Sequence, residues 1–356
     1  MLLPGRTTLL AALVLPLVAW GCGSPGRTGS DSSLADADVP RDVRLFRALG
    51  VLAADSMEGR RAGTPGERRA RDFLVRELER YGVEPAGEDG YLQAVPLVRT
   101  RRGGGRGRWT LPGPGLDPDT FPPERRATAW NVLGRIPGVD PALADEVVIV
   151  GAHYDHVGLG RPVDGDSVYN GADDDGSGTV AVLEIARALA REPGGGPGRT
   201  VLIGLFSAEE MGLLGPRWFL DHPTVPAGSI VADLQIEMIG RPDSLAGGPG
   251  RGWLTGYERS TMGDLLAATG SPIVPDPRPD QNFFFRSDNL PFAMAGIPAH
   301  TLSSYGLHRD YHTPADEVEA VDFAHMDALV GAALDMVRAL AAGDTPEWKP
   351  GGRPSR

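Results

Sequence analysis

Short apolar runs alternate with longer segments of helical periodicity along most of the 356-residue chain. Apolar runs, which predict buried strands, lie at 147–152 and 201–205, and residues 230–236 are a third predicted strand. Apolar residues recur at helical spacing in 67–81, 180–189, 258–268 and 324–340. Strands that alternate with helices in this way predict an α/β domain, with a mainly parallel central sheet covered by helices on both faces.

Each predicted strand is followed by side chains that could take part in catalysis. His153 and Asp155 follow the first strand, Glu209 and Glu210 the second, and Glu237 the third. Ligands bind at the carboxyl ends of the strands in open α/β sheets, so these side chains are candidates for one site. Each also has a plain structural interpretation, because acids favour a helix N-terminus and a single His at a strand end is more often structural.

Two further segments carry the same residue types. The consecutive acids Asp173, Asp174 and Asp175 lie among glycines, and they need a cation or solvent to offset their repulsion. An acidic turn that caps a helix is the alternative. His312 lies in a loop, since the Thr-Pro pair that follows it disfavours a helix. Together these segments hold the ligands of a paired-metal site with nitrogen and oxygen donors and no thiolate.

Several motifs, taken in order, resemble those of a known family. These motifs are Leu52–Arg60 with Gly63–Gly66, Gly151–His156, Asn170–Gly178, Ser207–Gly212, Asp233–Arg241, Arg286–Asn289 and Asp310–Pro314. In them the chain is similar to the co-catalytic zinc exopeptidases, which include bacterial leucyl aminopeptidases, glutamate carboxypeptidase II and the transferrin receptor ectodomain (metallopeptidase family twenty-eight). The resemblance covers roughly residues 45 to 340 and rests on several motifs in the family's order.

The resemblance implies two zinc ions held by side chains of this chain. It places His153 on one zinc, Glu210 and His312 on the other, and Asp174 between the two. The remaining ligand position is usually Asp in the family but is Glu237 here, so the site of His153, Asp174 and Glu237 is expected to bind zinc more weakly or to prefer another metal. Relatives hold the peptide bond after the bridging Asp in cis, which predicts a cis bond after Asp174.

The resemblance also assigns roles around the metals. Glu209 matches the general base, which takes a proton from a metal-bridging water and passes it to the leaving amine. Tyr311 is expected to donate a hydrogen bond to the developing oxyanion. Asp155 is expected to orient His153, and Asp288 to support Glu209.

The N-terminal segment predicts export. An apolar run, Leu9–Ala19, precedes Cys22, the only cysteine, which fits a signal peptide over 1–22 with a lipoprotein cleavage site. An ordinary secretory signal and an uncleaved anchor are the alternatives. We therefore expect a protein at the periplasmic face or cell surface that contacts the membrane only through a lipid anchor. The remaining predicted parts are a flexible tether over 23–38, a single peptidase domain without a protease-associated insertion over 39–345, and a disordered tail over 346–356.

Net charge and the positions of aromatic residues indicate which kinds of molecule the protein binds. The net charge of −12, from 47 acids and 35 bases, argues against a nucleic-acid partner. Peptides are the expected substrates of an exported dizinc aminopeptidase. A glutaminyl-cyclase-like or carboxypeptidase relative and a non-catalytic binding ectodomain are the alternatives. The side chains expected to make the pocket apolar, unless they belong to the core, are Phe283, Phe284, Phe285, Tyr305 and Leu307.

Overall fold

A ten-stranded sheet forms the centre of the structure. The computed structural model describes residues 39–100 and 107–355. Within them β6 and β7 form a separate two-stranded sheet, and the other strands belong to the large one. The strands are β1 (Glu84–Pro85), β2 (Leu92–Thr100), β3 (Arg108–Thr110), β4 (Arg126–Ile136), β5 (Val147–His153), β6 (Gly158–Val163), β7 (Asp166–Tyr169), β8 (Thr200–Phe206), β9 (Ile230–Ile236), β10 (Gly252–Leu254), β11 (Ile273–Pro275) and β12 (Ala299–Ser303).

The helices follow the predicted periodicity closely. Those predicted at 67–81, 180–189 and 324–340 are present, each extended by up to two residues at an end. The helix predicted from Glu258 begins only at Met262, because Ser260 pairs with Trp348 instead. No helix in the described part of the chain is long and apolar enough to span a membrane. The helices are α1 (Arg41–Leu52), α2 (Pro65–Tyr81), α3 (Gly178–Ala190), α4 (Leu214–Asp221), α5 (Met262–Thr269), α6 (Asn289–Ala295) and α7 (Phe323–Ala342).

Four central strands, β12, β9, β5 and β8, run parallel to one another. Beyond β8 the sheet continues through the antiparallel strands β4, β2 and β3. Beyond β12 it continues through antiparallel β10, which pairs with β11 in parallel. The predicted parallel sheet is confirmed at the centre, whereas the edges are mixed. The parallel centre brings the carboxyl ends of β5, β8 and β9 to the same edge.

Side chains of β5 alternate between two core clusters. Val148 and Val150 pack in a cluster with residues of α1, α2, α3 and α7. Val147 and Ile149 pack in another cluster with residues of α4 and α6. This period of two identifies a strand that is buried on both faces. The prediction of helices on both faces of the sheet is therefore confirmed.

The C-terminal segment corrects one prediction. Residues 346–355 pack against the domain, so the predicted disordered tail over 346–356 is wrong for this segment. Trp348 forms a bridge with Ser260, and its ring lies edge-on to Phe284, with centroids 6.4 Å apart. The segment is polar and proline-rich, which is why the sequence predicts disorder. Its single aromatic residue, Trp348, nevertheless holds it against the domain by burying part of its ring.

The predicted signal peptide over 1–22 with Cys22, and the predicted tether over 23–38, lie outside the described residues. From Val39 onward the described residues cluster into one compact unit.

Candidate metal centre

The carboxyl ends of three central strands converge on one group of polar side chains. His153 is the last residue of β5, and Glu237 directly follows β9. β8 ends at Phe206, and Glu209 and Glu210 follow it in the turn that leads to α4. The parallel pairing of these strands is what brings residues so distant in sequence together.

Two further segments complete the group. Asp174 lies in the turn between β7 and α3, and His312 in the loop between β12 and α7. The peptide bond between Asp174 and Asp175 is cis, as the resemblance predicts. Among the described residues, the ligand atoms within 4.8 Å of one another form two clusters. One holds His153, Asp174 and Glu237, and the other holds His156, Asp174, Glu210 and His312.

The carboxylate of Asp174 presents one oxygen to each cluster. Its Oδ1 lies 3.4 Å from Nε2 of His153, and its Oδ2 lies 3.0 Å from Nε2 of His312. Oε1 of Glu210 lies 3.0 Å from the same His312 nitrogen. A carboxylate placed in this way can bridge two metal ions, as in two-metal hydrolases.

The distances between these atoms suit zinc. Zinc with ligands at about 2.0–2.1 Å in tetrahedral geometry separates neighbouring ligand atoms by about 3.3 Å. The three separations above, of 3.0 and 3.4 Å, lie close to this value. Imidazole nitrogen and carboxylate oxygen are also donors that zinc accepts, so the residues present fit this metal.

The carboxylates make the centre strongly electronegative. Although burial lowers it, hydrogen bonds with Asp174 and Glu210 raise the pKa of His312 to about 10. Desolvation raises the pKa of Glu209 well above its usual range, and the charge of Asp288 adds to the rise. The same negative potential that strengthens proton binding by an imidazole favours a divalent cation between these groups.

The other two acids of the consecutive run fix the backbone around the ligands. Oδ1 of Asp175 accepts a hydrogen bond from the main-chain N–H of Met238 at 3.1 Å. Oδ1 of Asp173 accepts one from the N–H of Gly240 at 2.7 Å. Both tie the turn before α3 to the segment that follows β9, and that segment begins with Glu237. The run of acids is therefore part of the centre and does more than cap a helix.

Asp155 and Asp288 lie near the ligands and Glu209, where the resemblance places them. The carboxylate of Asp155 accepts a hydrogen bond from the N–H of Glu209 at 3.1 Å. The His153 ring is held by the main-chain oxygen of Asp155 at 3.1 Å from Nδ1, while the Asp155 carboxylate is 3.8 Å away. Asp288 is buried, and burial together with the charge of Glu237 raises its pKa to about 7.

Glu209 and Tyr311 border a cleft that Asp174 and Glu237 also line. The Tyr311 ring stacks on the His312 ring with centroids 3.9 Å apart, which fixes its position at the cleft. Trp253, Phe283 and Leu307 also border the cleft. Of the residues predicted to make the pocket apolar, Phe283 and Leu307 do so. Phe284 belongs to the core, and neither Phe285 nor Tyr305 borders this cleft.

Sequence reasoning gave no role to Arg60, although its motif was recognised. The guanidinium is fully buried and donates to four main-chain oxygens. These belong to Tyr154 at 2.7 Å, Leu52 at 3.1 Å, Asn170 at 2.5 Å and Gly171 at 2.9 Å. Arg60 thus joins α1 to Tyr154, the residue after His153, and to the segment that precedes Asp174. The motif also contains Asp55, Ser56 and Glu58, so the charge of Arg60 did not stand out in the sequence.

Glu67 and His156 were missed as well. The buried Glu67 carboxylate accepts hydrogen bonds from the N–H of Trp130 at 2.9 Å and from Oγ of Ser207 at 2.7 Å. Ser207 lies two residues before Glu209, so Glu67 positions the turn that carries it. His156 stands in the second ligand cluster. Its spacing of three from His153 was a signal that could have found it.

The sequence matches the model of a known protein family and is similar to named curated proteins. The model of peptidase family M28 matches residues 131–337, which is more than half of the chain and includes both ligand clusters. Leupeptin-inactivating enzyme 1 of Streptomyces exfoliatus is 25% identical over 350 residues, which cover 90% of this chain and 67% of that protein. Leucine aminopeptidase 1 of Paracoccidioides brasiliensis is 30% identical over 224 residues, which cover 60% of this chain and 57% of that protein. The aligned regions thus span 57% to 67% of the length of these relatives.

Solved structures share the fold at low identity. The aminopeptidase from Aneurinibacillus sp. strain AM-1 has a TM-score of 0.62 at 16% identity, covering 87% of this chain and 96% of that one. The glutaminyl cyclase of Porphyromonas gingivalis has a TM-score of 0.58 at 17% identity, covering 85% and 99%. The fold alone therefore does not separate these two activities. Together with the matched family model, it establishes that the chain belongs to peptidase family M28 and has a zinc-exopeptidase fold.

Proposed function

We propose that the protein is an exported dizinc aminopeptidase that releases N-terminal residues from peptides. One observation carries the proposal: two ligand clusters share the Asp174 carboxylate at a cleft that Glu209 also borders. Relatives named as aminopeptidases support cleavage at the N-terminus. Zinc held at such ligands lowers the pKa of water toward about 7 and polarises a carbonyl group.

Glu209 is suited to move the proton. Its carboxylate borders the cleft, and its main chain is held by the Asp155 carboxylate. In the proposed reaction Glu209 takes a proton from the attacking water and delivers it to the nitrogen of the leaving peptide. A positioned general base of this kind contributes roughly 10²–10⁴ in rate.

Other residues at the cleft bind and orient the substrate. In the proposed reaction the Tyr311 hydroxyl donates a hydrogen bond to the oxygen of the scissile carbonyl, where negative charge develops. The walls formed by Trp253, Phe283 and Leu307 suit the side chain of an apolar N-terminal residue. The carboxylates of Asp174, Glu209 and Glu237 also border the cleft and favour a protonated α-amine over a carboxylate.

The experiment is hydrolysis of a panel of aminoacyl-anilides and N-blocked peptides by protein that begins at Ser24. The protein is stripped with chelator and reloaded with zinc, beside Glu209→Gln and its neighbour Glu210→Gln. We expect zinc-restored cleavage of free N-termini only. Glu209→Gln should lower kcat by about 10²–10⁴ without loss of bound zinc, whereas Glu210→Gln should lose zinc. Two bound zincs without cleavage would contradict the proposal and direct the search to blocked C-terminal substrates and to N-terminal glutamine cyclisation.

We also propose that the protein is lipid-anchored at Cys22. The proposal rests on the apolar Leu9–Ala19 run before the only cysteine. Expressed in full in a bacterial host, the protein should incorporate labelled fatty acid and sediment with membranes, and Cys22→Ser should do neither. Equal labelling of the two proteins would contradict the anchor.

A further inference from the structure

His156 is a buried imidazole that the proposed mechanism does not use. Its side chain is 0% exposed, and within the described part of the chain neither ring nitrogen forms a well-aligned hydrogen bond. Nδ1 lies 3.0 Å from Oε1 of Glu210 and 3.7 Å from Oδ2 of Asp174. A buried polar ring without a partner costs free energy, so its surroundings need an explanation.

The same two oxygens face a second imidazole. Nε2 of His312 lies 3.0 Å from Oδ2 of Asp174 and 3.0 Å from Oε1 of Glu210. The His156 and His312 rings meet edge-on, with centroids 5.4 Å apart and an angle of 79° between their planes. The four residues therefore form one cluster with ligand atoms within 4.8 Å of one another, and the four separations above bracket the value of about 3.3 Å for tetrahedral zinc.

The backbone makes room for the His156 ring. Gly171 has a φ of +57°, and a Cβ at this position would lie 2.5 Å from Cδ2 of His156. The main-chain oxygen of Gly171 is held by the Arg60 guanidinium at 2.9 Å, as is that of Tyr154 at 2.7 Å. Glycine at 171 and the buried Arg60 thus keep the ring against the two carboxylates.

We infer that His156 is a fourth protein ligand of the metal site formed by Asp174, Glu210 and His312. The inference rests on the proposed function only in requiring that the protein binds zinc. The two metal sites are then unequal. The site with His156 has four protein ligands, as closed structural zinc sites have, whereas the site of His153, Asp174 and Glu237 has three. The four-ligand site fills first and releases zinc last.

A positioning role is the competing interpretation. His156 would then only donate a hydrogen bond to Glu210, and the site would have one imidazole ligand. The two interpretations differ in the number of histidines bound to the first zinc, which can be measured without any substitution.

The decisive experiment is zinc X-ray absorption of the wild-type protein after addition of one and of two equivalents of zinc. We expect two imidazole ligands at one equivalent, from His156 and His312, and three imidazoles shared by two zincs at two equivalents. One imidazole per zinc at both loadings would overturn the inference.

Substitutions give an independent measurement. His156→Phe keeps a buried ring but removes both nitrogens, and we expect it to weaken the first zinc site in a chelator competition. The loss should exceed the ten- to hundredfold change typical of residues that only position a ligand. His312→Phe should match it, and His222→Phe, at an exposed position outside the clusters, should bind zinc as the wild type does. Circular dichroism of the metal-free variants checks that each is folded, and wild-type affinity in folded His156→Phe would overturn the inference.

These outcomes are separable from those of the proposed function. Two imidazoles at the first zinc without any aminopeptidase activity would support His156 as a ligand and contradict the proposed function. Aminopeptidase activity with one imidazole per zinc would support the proposed function and contradict His156 as a ligand.

Discussion

Two adjacent glutamates have different surroundings in this protein, although both lie in the turn that follows β8. Glu210 lies 3.0 Å from Nε2 of His312, whereas its neighbour Glu209 borders the cleft. The apolar run of β8 was enough to place both acids at a strand end. Which of them faces the ligands came from the family resemblance, because periodicity alone does not give the direction of side chains in a turn.

His300 is a residue whose protonation should affect stability. Its Nδ1–H donates to the main-chain oxygen of Thr255 at 2.7 Å, and its Nε2 lies 2.6 Å from Oγ of Ser260. Burial lowers the pKa of His300 to about 4. The unfolded chain, with a pKa near 6.5 at this residue, binds the proton more readily. The stabilisation is therefore complete above about pH 6.5 and is lost as the pH falls toward 4.

The measurement is urea unfolding of chelator-treated wild type and His300→Asn from pH 7.5 to pH 5. Because the variant cannot titrate at this position, the difference between the two unfolding free energies isolates His300. We expect the difference to shrink by about 2 kcal/mol over this range. A difference that does not change with pH would contradict the assignment.

At the scale of elements, Arg60 joins segments that are far apart in sequence. Arg60→Met removes the donor to four buried carbonyl groups, and we expect the free energy of unfolding to fall by about 3–5 kcal/mol. Zinc affinity should fall as well, because the loops with His153 and Asp174 lose their common anchor. Urea unfolding of the metal-free protein and chelator competition measure the two effects.

Arg61 offers a matched control for this prediction. It is the next residue, is exposed, and its guanidinium donates a hydrogen bond to the main-chain oxygen of Val157. Arg61→Met should change the unfolding free energy by no more than about 0.5 kcal/mol. Equal effects of the two substitutions would show that burial of the guanidinium is not what matters.

Local periodicity predicts helices and strands, but it does not predict contacts between residues that are distant in sequence. The strands at 147–152 and 230–236 and the helix at 324–340 follow from local periodicity, and the structure confirms them. Arg60 binds the main chain of Asn170, 110 positions away, and His156 contacts Glu210 and His312 from other segments of the chain. Such contacts exist only once the sheet order is set, and a single sequence does not give that order.

At the scale of the whole molecule, the C-terminal residues 346–355 pack against the rest of the domain. The prediction of a disordered tail from local composition was wrong here, because polar and proline residues surround Trp348, the aromatic side chain that packs against the domain. Trp348 packs near Phe284 and His300 and donates from Nε1 to the main-chain oxygen of Gly296 at 2.9 Å. The segment is thus part of the folded unit, and its removal should be felt by the whole domain.

Truncation after Thr345 tests this conclusion. We expect the free energy of unfolding to fall by about 2–4 kcal/mol, because a half-buried Trp and several hydrogen bonds are lost. Trp348→Ala in the full chain should account for most of the loss, whereas Glu347→Ala, at an exposed position, should account for little. Zinc stoichiometry should not change, since the residues of both ligand clusters lie outside this segment. A truncated protein as stable as the full chain would support the original prediction that the tail is disordered. A loss of zinc would show that the segment also supports the metal centre.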